Sequence, residues 1–476
     1  MTWETVIGLE VHAQLQTHSK LFSSSSTVFG APPNTQTHYI DAGFPGTLPV
    51  LNKKALYLAV QFGLAIGAKI NQNAYFERKN YVYPDLPKGY QISQLRRPIV
   101  GSGHVNIVTE SGESKSVVIE HAHLEEDAGK SLHNRPNQTA IDLNRAGIPL
   151  LEIVTTPCLS SASDVVRYLK TLNQLLRFLN ICNGNMQEGS FRCDVNISLK
   201  QPHSHILGTK VELKNLNSFR FIEKAIVYEQ HRQASLLDSH QKIEQETRLF
   251  NETTGCTEPM RDKESVCDYR YFADPDLLPI HIDATTLESL AREMPEVPDA
   301  LSNALRNEGI SNQEDIDFLL TSPTVFHFFS AVKQLSLASV HMILKWLKGP
   351  LVAELKHHNL SFESNSLGAE GFASLLNNLN DGTISDATGK KILNLLFTSN
   401  ESVSALISVH GYITPSDEQL QQTIATVLSQ YPQQTMQLQQ GDQKILSFLT
   451  GQTMKALNGQ ADAKHLQQLL LKAIAT

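Results

Sequence analysis

The alternation of apolar and polar residues predicts β-strands in the first part of the chain. In Val6–Leu15, every second residue from Ile7 is apolar and the residues between are mostly polar, as in a half-buried strand. The runs Arg192–Ser198 and Lys210–Lys214 alternate in the same way. Because these runs do not follow the regular strand–helix–strand order of a parallel sheet, we expect a mainly antiparallel sheet.

Apolar residues at helical spacing predict helices elsewhere. Asn52–Gly67 carries an apolar stripe, Ser163–Leu179 is amphipathic, and Asn217–His240 is a long helical stretch. Strands and helices in this irregular order are typical of the α+β class.

The character of the chain changes twice, which predicts three domains. Residues 1–295 contain most of the strand-like runs and turn dipeptides, and residues 296–400 consist of helical patterns with polar connectors. A second break precedes residues 401–476, which are rich in Gln and helical in pattern. We therefore expect a strand-rich domain (1–295), an all-helical domain (296–400) and a small helical tail (401–476).

Composition narrows the class of protein. The net charge of −8 gives no general affinity for nucleic acid, so any RNA contact must use local patches or stacking. No apolar run approaches the roughly 18 residues of a membrane span. The five cysteines are widely spaced and include no Cys-x-x-Cys pair, so they imply neither a disulfide framework nor a cysteine zinc site. With no targeting signal recognised, we expect a cytoplasmic protein.

Two stretches carry candidate metal ligands. Glu10 and His12 lie two residues apart in the first strand, so their side chains share a face, as in half of a divalent-metal site. Such pairs are also common on ordinary polar strand faces. Glu152 interrupts the apolar run Ile148–Val154, where a buried carboxylate costs several kcal/mol unless it is paired or holds a cation. The alternative is an edge strand from which Glu152 faces solvent.

The acidic triplet that begins at Glu125 has the same two interpretations, a site or a solvated turn. It is followed by Gly129-Lys130-Ser131, which resembles the end of a phosphate-binding P-loop. The first glycine of that motif would fall at Leu124, which excludes a P-loop. Any phosphate must be bound elsewhere, and the segment Phe76–Gln91 alternates cations, tyrosines and turn formers that suit phosphate binding and base stacking. It is equally compatible with an ordinary surface loop.

Several long motifs together resemble one family, the B subunits of the bacterial aspartyl/glutamyl-tRNA amidotransferase. The motifs are Ile-Gly-Leu-Glu-Val-His-Ala-Gln-Leu from Ile7, Arg-Lys-Asn-Tyr-Val-Tyr-Pro-Asp-Leu-Pro-Lys-Gly-Tyr-Gln from Arg78, His-Leu-Glu-Glu-Asp-Ala-Gly-Lys from His123, Asn-Arg-Ala-Gly-Ile-Pro-Leu-Leu-Glu-Ile-Val from Asn144, Glu-Gly-Ser-Phe-Arg-Cys-Asp-Val-Asn from Glu188 and Asp-Tyr-Arg-Tyr-Phe-Ala-Asp-Pro-Asp-Leu-Leu-Pro from Asp268. The resemblance is dense through residue 280 and looser to the C-terminus.

The resemblance implies an ATP-dependent amidation. Enzymes of this family convert Glu or Asp misacylated onto tRNA-Gln or tRNA-Asn: ATP phosphorylates the side-chain carboxylate, and ammonia released by a partner amidase (a glutaminase, the A subunit) displaces the phosphate. The complex also contains a small C subunit. The implied fold is a cradle-shaped, mainly antiparallel domain, a helical domain and a YqeY-like tail that binds tRNA, with no membrane association.

The resemblance also implies roles for individual residues. A divalent ion, Mg²⁺, is expected on Glu10, His12, Glu125 and Glu152, with Glu125 the central catalytic carboxylate, and carboxylate oxygens suit Mg²⁺. Asp194 and Glu212 are expected to hold a second ion or to orient ammonia. Lys79, Lys88 and Arg192 are expected to hold phosphate. Each of these last five could instead form a structural ion pair.

A protein of another class, a catalytically silent scaffold that only positions tRNA, is the alternative function. The full set of candidate carboxylates favours the enzyme. The sequence does not distinguish Glu-tRNA-Gln from Asp-tRNA-Asn as the substrate.

The sequence departs from the family at one site and predicts that the protein lacks its zinc. Many members carry four zinc-binding cysteines after the first strand, and the corresponding positions here are Ser23, Ser25, His38 and Asp41. Because serine hydroxyls are poor zinc ligands, we expect this loop to be held by packing, through Phe22, Phe29 and its prolines. Elemental analysis of the chelator-washed protein should find no stoichiometric zinc; one retained equivalent would contradict the prediction.

Overall fold

A computed structural model describes residues 3–135, 138–260, 268–362, 364, 367–399, 401–411, 415–439, 443–457, 461 and 463–475. The chain forms two compact units, Met1–Leu301 and Ser302–Thr476. The three-domain division at residues 295 and 400 stays a prediction.

The first unit is built on an eight-stranded sheet. Its strands, in spatial order, are β13 (Cys256–Pro259), β12 (Thr247–Asn251), β11 (Val211–Lys214), β10 (Phe191–Lys200), β1 (Glu4–Gln14), β9 (Pro149–Thr155), β6 (Ser114–Glu126) and β5 (Gly103–Val108). Every neighbouring pair is antiparallel except β11 and β12. The prediction of an α+β fold with a mainly antiparallel sheet is confirmed.

Shorter strands form three small sheets in the described part of the chain. They are β2 (Asn73–Ala74) with β15 (Ile280–His281), β7 (Lys130–Arg135) with β8 (Gln138–Asp142), and β3 (Glu77–Asn80) between β4 (Tyr90–Ser93) and β14 (Phe272–Ala273). The last sheet joins the segment Phe76–Gln91 to the chain beyond Asp268. Asn80 strengthens this connection, because it donates backbone and side-chain hydrogen bonds to the carbonyl oxygens of Tyr269 and Arg270.

The period-two pattern of β1 determines which face of the large sheet is the core. Ile7, Leu9, Val11 and Ala13 are fully or almost fully buried in the main hydrophobic core. Helices α2 (Ala162–Phe178) and α3 (Phe219–Asp238) contribute apolar residues to that core, and each begins at a serine whose hydroxyl accepts a backbone N–H of the first turn. The face of β1 that carries Glu10 and His12 is therefore free to bear polar chemistry.

The remaining helices lie mainly in the C-terminal half. They are α1 (Lys53–Ala65), α4 (Ala284–Glu293), α5 (Pro298–Asn307), α6 (Gln313–Leu319), α7 (Pro323–Leu335), α8 (Val340–Trp346), a π-helical turn (Leu347–Leu351), α9 (Val352–His357), α10 (Ala369–Asn380), α11 (Asp386–Thr398), α12 (Val403–His410), α13 (Asp417–Gln430), α14 (Pro432–Gln439), α15 (Gln443–Ala456) and α16 (Ala463–Ala475). Among the residues described, no single helix is long and apolar enough to cross a membrane; α11 and α12 together pass by length and composition alone but are bent by 116°.

A buried ion pair, rather than packing alone, holds the loop after β1. Lys20 and Asp41 have side-chain exposures of 0% and 2%, and Lys20 Nζ lies 3.1 Å from Asp41 Oδ2. The same carboxylate oxygen accepts hydrogen bonds from Ser23 Oγ and the His38 backbone N–H. The turn at Gly147, with φ of 83°, packs so closely that a Cβ there would lie 2.7 Å from Asp41 Oδ1.

The predicted packing residues of this loop behave differently from one another. Phe22 is buried and meets Phe76 edge-on at a centroid distance of 5.2 Å. Phe29 is 69% exposed, so the expectation that it anchors the loop is wrong. The loop is therefore held both by the packing of Phe22 and by the buried pair of Lys20 and Asp41.

Replacing Lys20 with Met should destabilise the protein strongly, because it leaves Asp41 charged and buried without its cation. The expected loss in the free energy of unfolding is about 3–5 kcal/mol, measured by chemical denaturation. Lys53→Met, at an exposed position in α1, should change it by no more than about 0.5 kcal/mol. Adding Asp41→Asn to Lys20→Met should recover much of the loss, and equal stabilities for Lys20→Met and Lys53→Met would refute the buried-pair interpretation.

Candidate functional site

Four neighbouring strands place polar side chains in one row on the open face of the large sheet. His123 of β6 lies opposite Glu152 of β9. Glu152 in turn lies opposite His12 of β1, and His12 opposite Arg192 of β10. Because β9 is an interior strand flanked by β1 and β6, the alternative that Glu152 faces solvent from an edge strand is wrong.

Two imidazoles and two carboxylates form the centre of this row. His12 Nε2 lies 3.4 Å from Glu152 Oε2 and 3.8 Å from Glu125 Oε1. His123 Nε2 lies 3.5 Å from Glu152 Oε2 and 3.8 Å from Glu125 Oε2. The side chain of Glu125 is only 5% exposed and that of Glu152 only 15%, so each carboxylate depends on the imidazoles for compensation.

The two carboxylates and the two imidazoles stabilise each other's charged forms. Burial disfavours the protonated ring of His12, but the hydrogen bond to Glu152 and the charges of Glu152 and Glu125 outweigh it and raise the pKa of His12 to about 9. Burial has the same effect on His123, yet the two carboxylates raise its pKa as well. The pKa of Glu152 is lowered despite burial, because His123, His12 and Lys79 stabilise the ionised form.

Glu10 lies on the same face but outside this cluster. Its Oε1 accepts a hydrogen bond of 2.8 Å from Asn196 Nδ2. Burial raises the pKa of Glu10 against that hydrogen bond, and the nearby negative charges of Glu152, Glu212 and Asp194 add to the increase. Of the four predicted metal ligands, the structure brings His12, Glu125 and Glu152 together, and leaves Glu10 with Asn196.

The donor atoms of His12, Glu125 and Glu152 suit a divalent cation. One imidazole nitrogen and two carboxylate oxygens lie within 4.8 Å of one another. A mixed oxygen and nitrogen set on one open face fits an ion that keeps some of its water, as Mg²⁺ does. His123 lies beside Glu125 and Glu152. Its Nδ1 is buried without a hydrogen-bond partner among the residues described.

The three predicted phosphate-binding cations have different surroundings. Lys88 forms a short ion pair with Glu126, and Arg192 Nη2 lies 3.1 Å from Asp127 Oδ2. Burial raises the pKa of Asp127, but the charges of Arg192 and Arg145 lower it overall. These two cations are therefore neutralised by carboxylates of the Glu125–Asp127 triplet.

Lys79 is the exception. Its Nζ lies 4.9 Å from the ring centre of Tyr269 and 5.9 Å from that of Tyr81. No ion pair to Lys79 occurs among the residues described. It is also near enough to Glu152 to stabilise that carboxylate's charge. Lys79 is a cation that is held by aromatic rings and remains electrostatically available.

Asp194 and Glu212 share a lysine. Lys214 Nζ lies 3.4 Å from Asp194 Oδ2 and 3.3 Å from Glu212 Oε1, and Thr247 donates a hydrogen bond to Glu212. Burial lowers the pKa of Lys214, but the two carboxylates raise it overall, so this position already holds a positive charge.

Sequence reasoning assigned no role to His123, Lys214 or Tyr269. The signal for the first two was present, because His123 and Lys214 lie two residues from Glu125 and Glu212 and so share their strand faces. Tyr269 had no such signal, because the contact between Lys79 and Tyr269 joins segments about 190 residues apart.

Known proteins with similar sequences identify the family of this chain. A family model described as the GatB/GatE catalytic domain matches residues 5–288, and one described as the GatB domain matches residues 327–474. The B subunit of an aspartyl/glutamyl-tRNA(Asn/Gln) amidotransferase from Legionella pneumophila is 52% identical over 99% of both chains. The B subunits of the same name from Nitrosococcus oceani and Coxiella burnetii are 45% and 44% identical over the full length of both chains. The chain therefore belongs to the GatB family, the B subunits of aspartyl/glutamyl-tRNA(Asn/Gln) amidotransferases.

Proposed function

We propose that this chain catalyses the ATP-dependent amidation of Glu on tRNA-Gln, Asp on tRNA-Asn, or both. The γ-phosphoryl group of ATP is transferred to the side-chain carboxylate, giving ADP and an acyl phosphate. Ammonia then attacks the acyl carbon and inorganic phosphate leaves. Activation is required because a carboxylate is a poor electrophile and its oxygen is a poor leaving group.

The convergence of His12, Glu125 and Glu152 on the open face of the sheet is the observation that supports this proposal. A scaffold that only positions tRNA has no need for two poorly exposed carboxylates beside two imidazoles, since such an arrangement is costly without a ligand. Bound Mg²⁺ would neutralise phosphate charge during transfer. The chain's own contribution is to orient the three donors through the register of β1, β6 and β9.

Lys79 supports the same proposal as the best available phosphate-binding group. Its position beside Glu152 and its lack of an ion pair in the described residues leave its charge free for an incoming anion. The rings of Tyr81 and Tyr269 restrict its side chain without neutralising it. Lys88 and Arg192 act through Glu126 and Asp127, which they hold in place.

A cleft beside Lys88 suits the nucleoside part of ATP. Tyr90 and Phe44 contribute aromatic surface to its walls, and Arg78, Lys88 and Asp276 contribute polar groups. Aromatic rings can stack on a base, and the polar groups around them can bind the ribose. We therefore assign adenosine to this cleft.

Asp194, Glu212 and Lys214 have a different role in this scheme. Two carboxylates that already bind one ammonium group provide an acidic surface that can attract and orient the incoming ammonia. Ammonia is supplied by the amidase, the A subunit, which works with the small C subunit. The helical domain (296–400) and the tail (401–476) bind the tRNA, and the complex acts in the cytoplasm.

Replacing Glu125 with Gln should abolish tRNA-dependent ATP cleavage, because the change keeps the shape of the side chain but removes its charge. In the assembled complex the rate should fall by about 10²-fold or more, while glutamine hydrolysis by the partner continues. Glu120→Gln, exposed on the same strand, is the matched control and should keep full activity. ATP cleavage at the normal rate in Glu125→Gln would favour the scaffold instead.

Replacing Lys79 should affect catalysis, whereas replacing Lys88 should affect stability. Lys79→Met should reduce kcat/KM for ATP by about 10- to 100-fold with little change in Tm, because no buried carboxylate loses its partner. Lys88→Met leaves Glu126 buried and unpaired, which costs about 3–5 kcal/mol and should lower Tm, and a further Glu126→Gln should restore part of it. Steady-state kinetics and calorimetry measure both quantities; a large loss of Tm in Lys79→Met would contradict the role assigned to Lys79.

A further inference from the structure

A second group of potential metal ligands lies at the end of α9, within the unit Ser302–Thr476. One ligand atom from each of Glu354, His357 and His358 lies within 4.8 Å of the others. Glu354 Oε2 is 3.9 Å from His357 Nδ1 and 3.7 Å from His358 Nε2. The amidation chemistry proposed above uses none of these residues.

Helical spacing brings the three side chains together. His357 and His358 follow Glu354 by three and four residues, the separations at which helical side chains meet. The helix ends immediately afterwards, because Asn359 adopts a left-handed conformation with φ of 53°. Both histidines thus lie at the C-terminal end of the helix, one turn after Glu354.

Two residues of α11 hold this group in position. Asn394 Nδ2 donates a hydrogen bond of 2.9 Å to Glu354 Oε2. The ring of Phe397 stacks on that of His358 with a centroid distance of 5.2 Å and an interplanar angle of 8°. One contact orients the carboxylate and the other fixes the imidazole plane, as outer residues do around metal ligands.

One polar atom in this group has no partner. His358 Nε2 is buried and makes no hydrogen bond within the part of the chain that the structure describes. Its nearest acceptor, Glu354 Oε2, is too distant at 3.7 Å. A ligand bound between this nitrogen and the Glu354 carboxylate would contact both of them.

We propose that Glu354, His357 and His358 bind a first-row transition-metal ion of the Zn²⁺ type. Two imidazole nitrogens and one carboxylate oxygen favour such an ion over Mg²⁺ or Ca²⁺. Tetrahedral bonds of about 2.0–2.1 Å place ligand atoms roughly 3.4 Å apart. The separations of 3.7 and 3.9 Å from Glu354 Oε2 are larger by only a few tenths of an ångström, and all three ligand atoms lie within 4.8 Å of one another.

The site differs in kind from a structural four-cysteine zinc site. It has three protein ligands, and His357 is 71% exposed, so water completes the coordination and the ion exchanges with solvent. A chelator wash therefore removes it, in agreement with the absence of retained zinc expected for the loop after β1. When bound, the ion fixes the last turn of α9 in the position that Asn394 and Phe397 hold from α11.

Titration of the chelator-treated full-length protein with Zn²⁺, followed by calorimetry, tests the proposal. The wild-type protein should show one binding event at this site. Glu354→Gln, His357→Ala and His358→Ala should each weaken Zn²⁺ binding at this site at least tenfold. Because the His357 side chain is 71% exposed, its replacement should not disturb folding, and misfolding would not explain the loss. His341→Ala, an exposed histidine on α8, should leave the binding unchanged.

Two results would overturn the proposal. One is an unchanged titration in all three variants of the α9 group, with circular dichroism showing that they are folded. The other is loss of the event in His12→Ala, which would assign the Zn²⁺ to the open face of the sheet instead. Retention of the event in His12→Ala together with its loss in His357→Ala would establish the α9 site independently of the amidation activity.

Discussion

Compensation of buried carboxylates by imidazoles is the interaction on which the rest of the candidate site depends. Glu125 and Glu152 lie on a poorly exposed part of the sheet and 3.4–3.8 Å from the nearest imidazole nitrogens. The carboxylates in turn raise the pKa of both histidines. This mutual support exists only in one register of β6, β9 and β1, because a slip of one residue would move every member to the other face. The sheet's hydrophobic core, which fixes that register, is therefore also what maintains the site.

Contacts between residues close together in the sequence can be predicted from it, whereas contacts between distant segments cannot. The face shared by Glu10 and His12 follows from the period of a single strand, and the antiparallel sheet follows from the order of the strand patterns. Which residue of one strand lies opposite which residue of the next is set by long-range pairing, which one sequence does not reveal. For that reason the sequence does not show that Glu10 bonds to Asn196, or that His123, two residues from Glu125, contacts the same carboxylates.

The same limit applies to charges. A lysine in a sequence has no visible partner, so Lys79, Lys88 and Arg192 looked equivalent, yet two of them are paired with Glu126 and Asp127. Nothing in the sequence indicates that Lys20 is buried, although it is among the largest fully buried side chains. Phe29 is apolar, which predicts burial, but it is exposed to solvent. Residue type indicates the cost of burial but not the partner that offsets it.

The central position of β1 has a consequence for biosynthesis. This strand leaves the ribosome well before its two neighbours, residues 149–155 and 191–200, which lie far behind it in the chain. At about 5–20 residues per second, roughly 10–40 s pass before β10 is available. A strand with one apolar face and an unpaired edge is an aggregation hazard during that interval. The insertion of β1 between β9 and β10 thus waits for β10, and the same event joins the two halves of the sheet and fixes His12 beside its carboxylates.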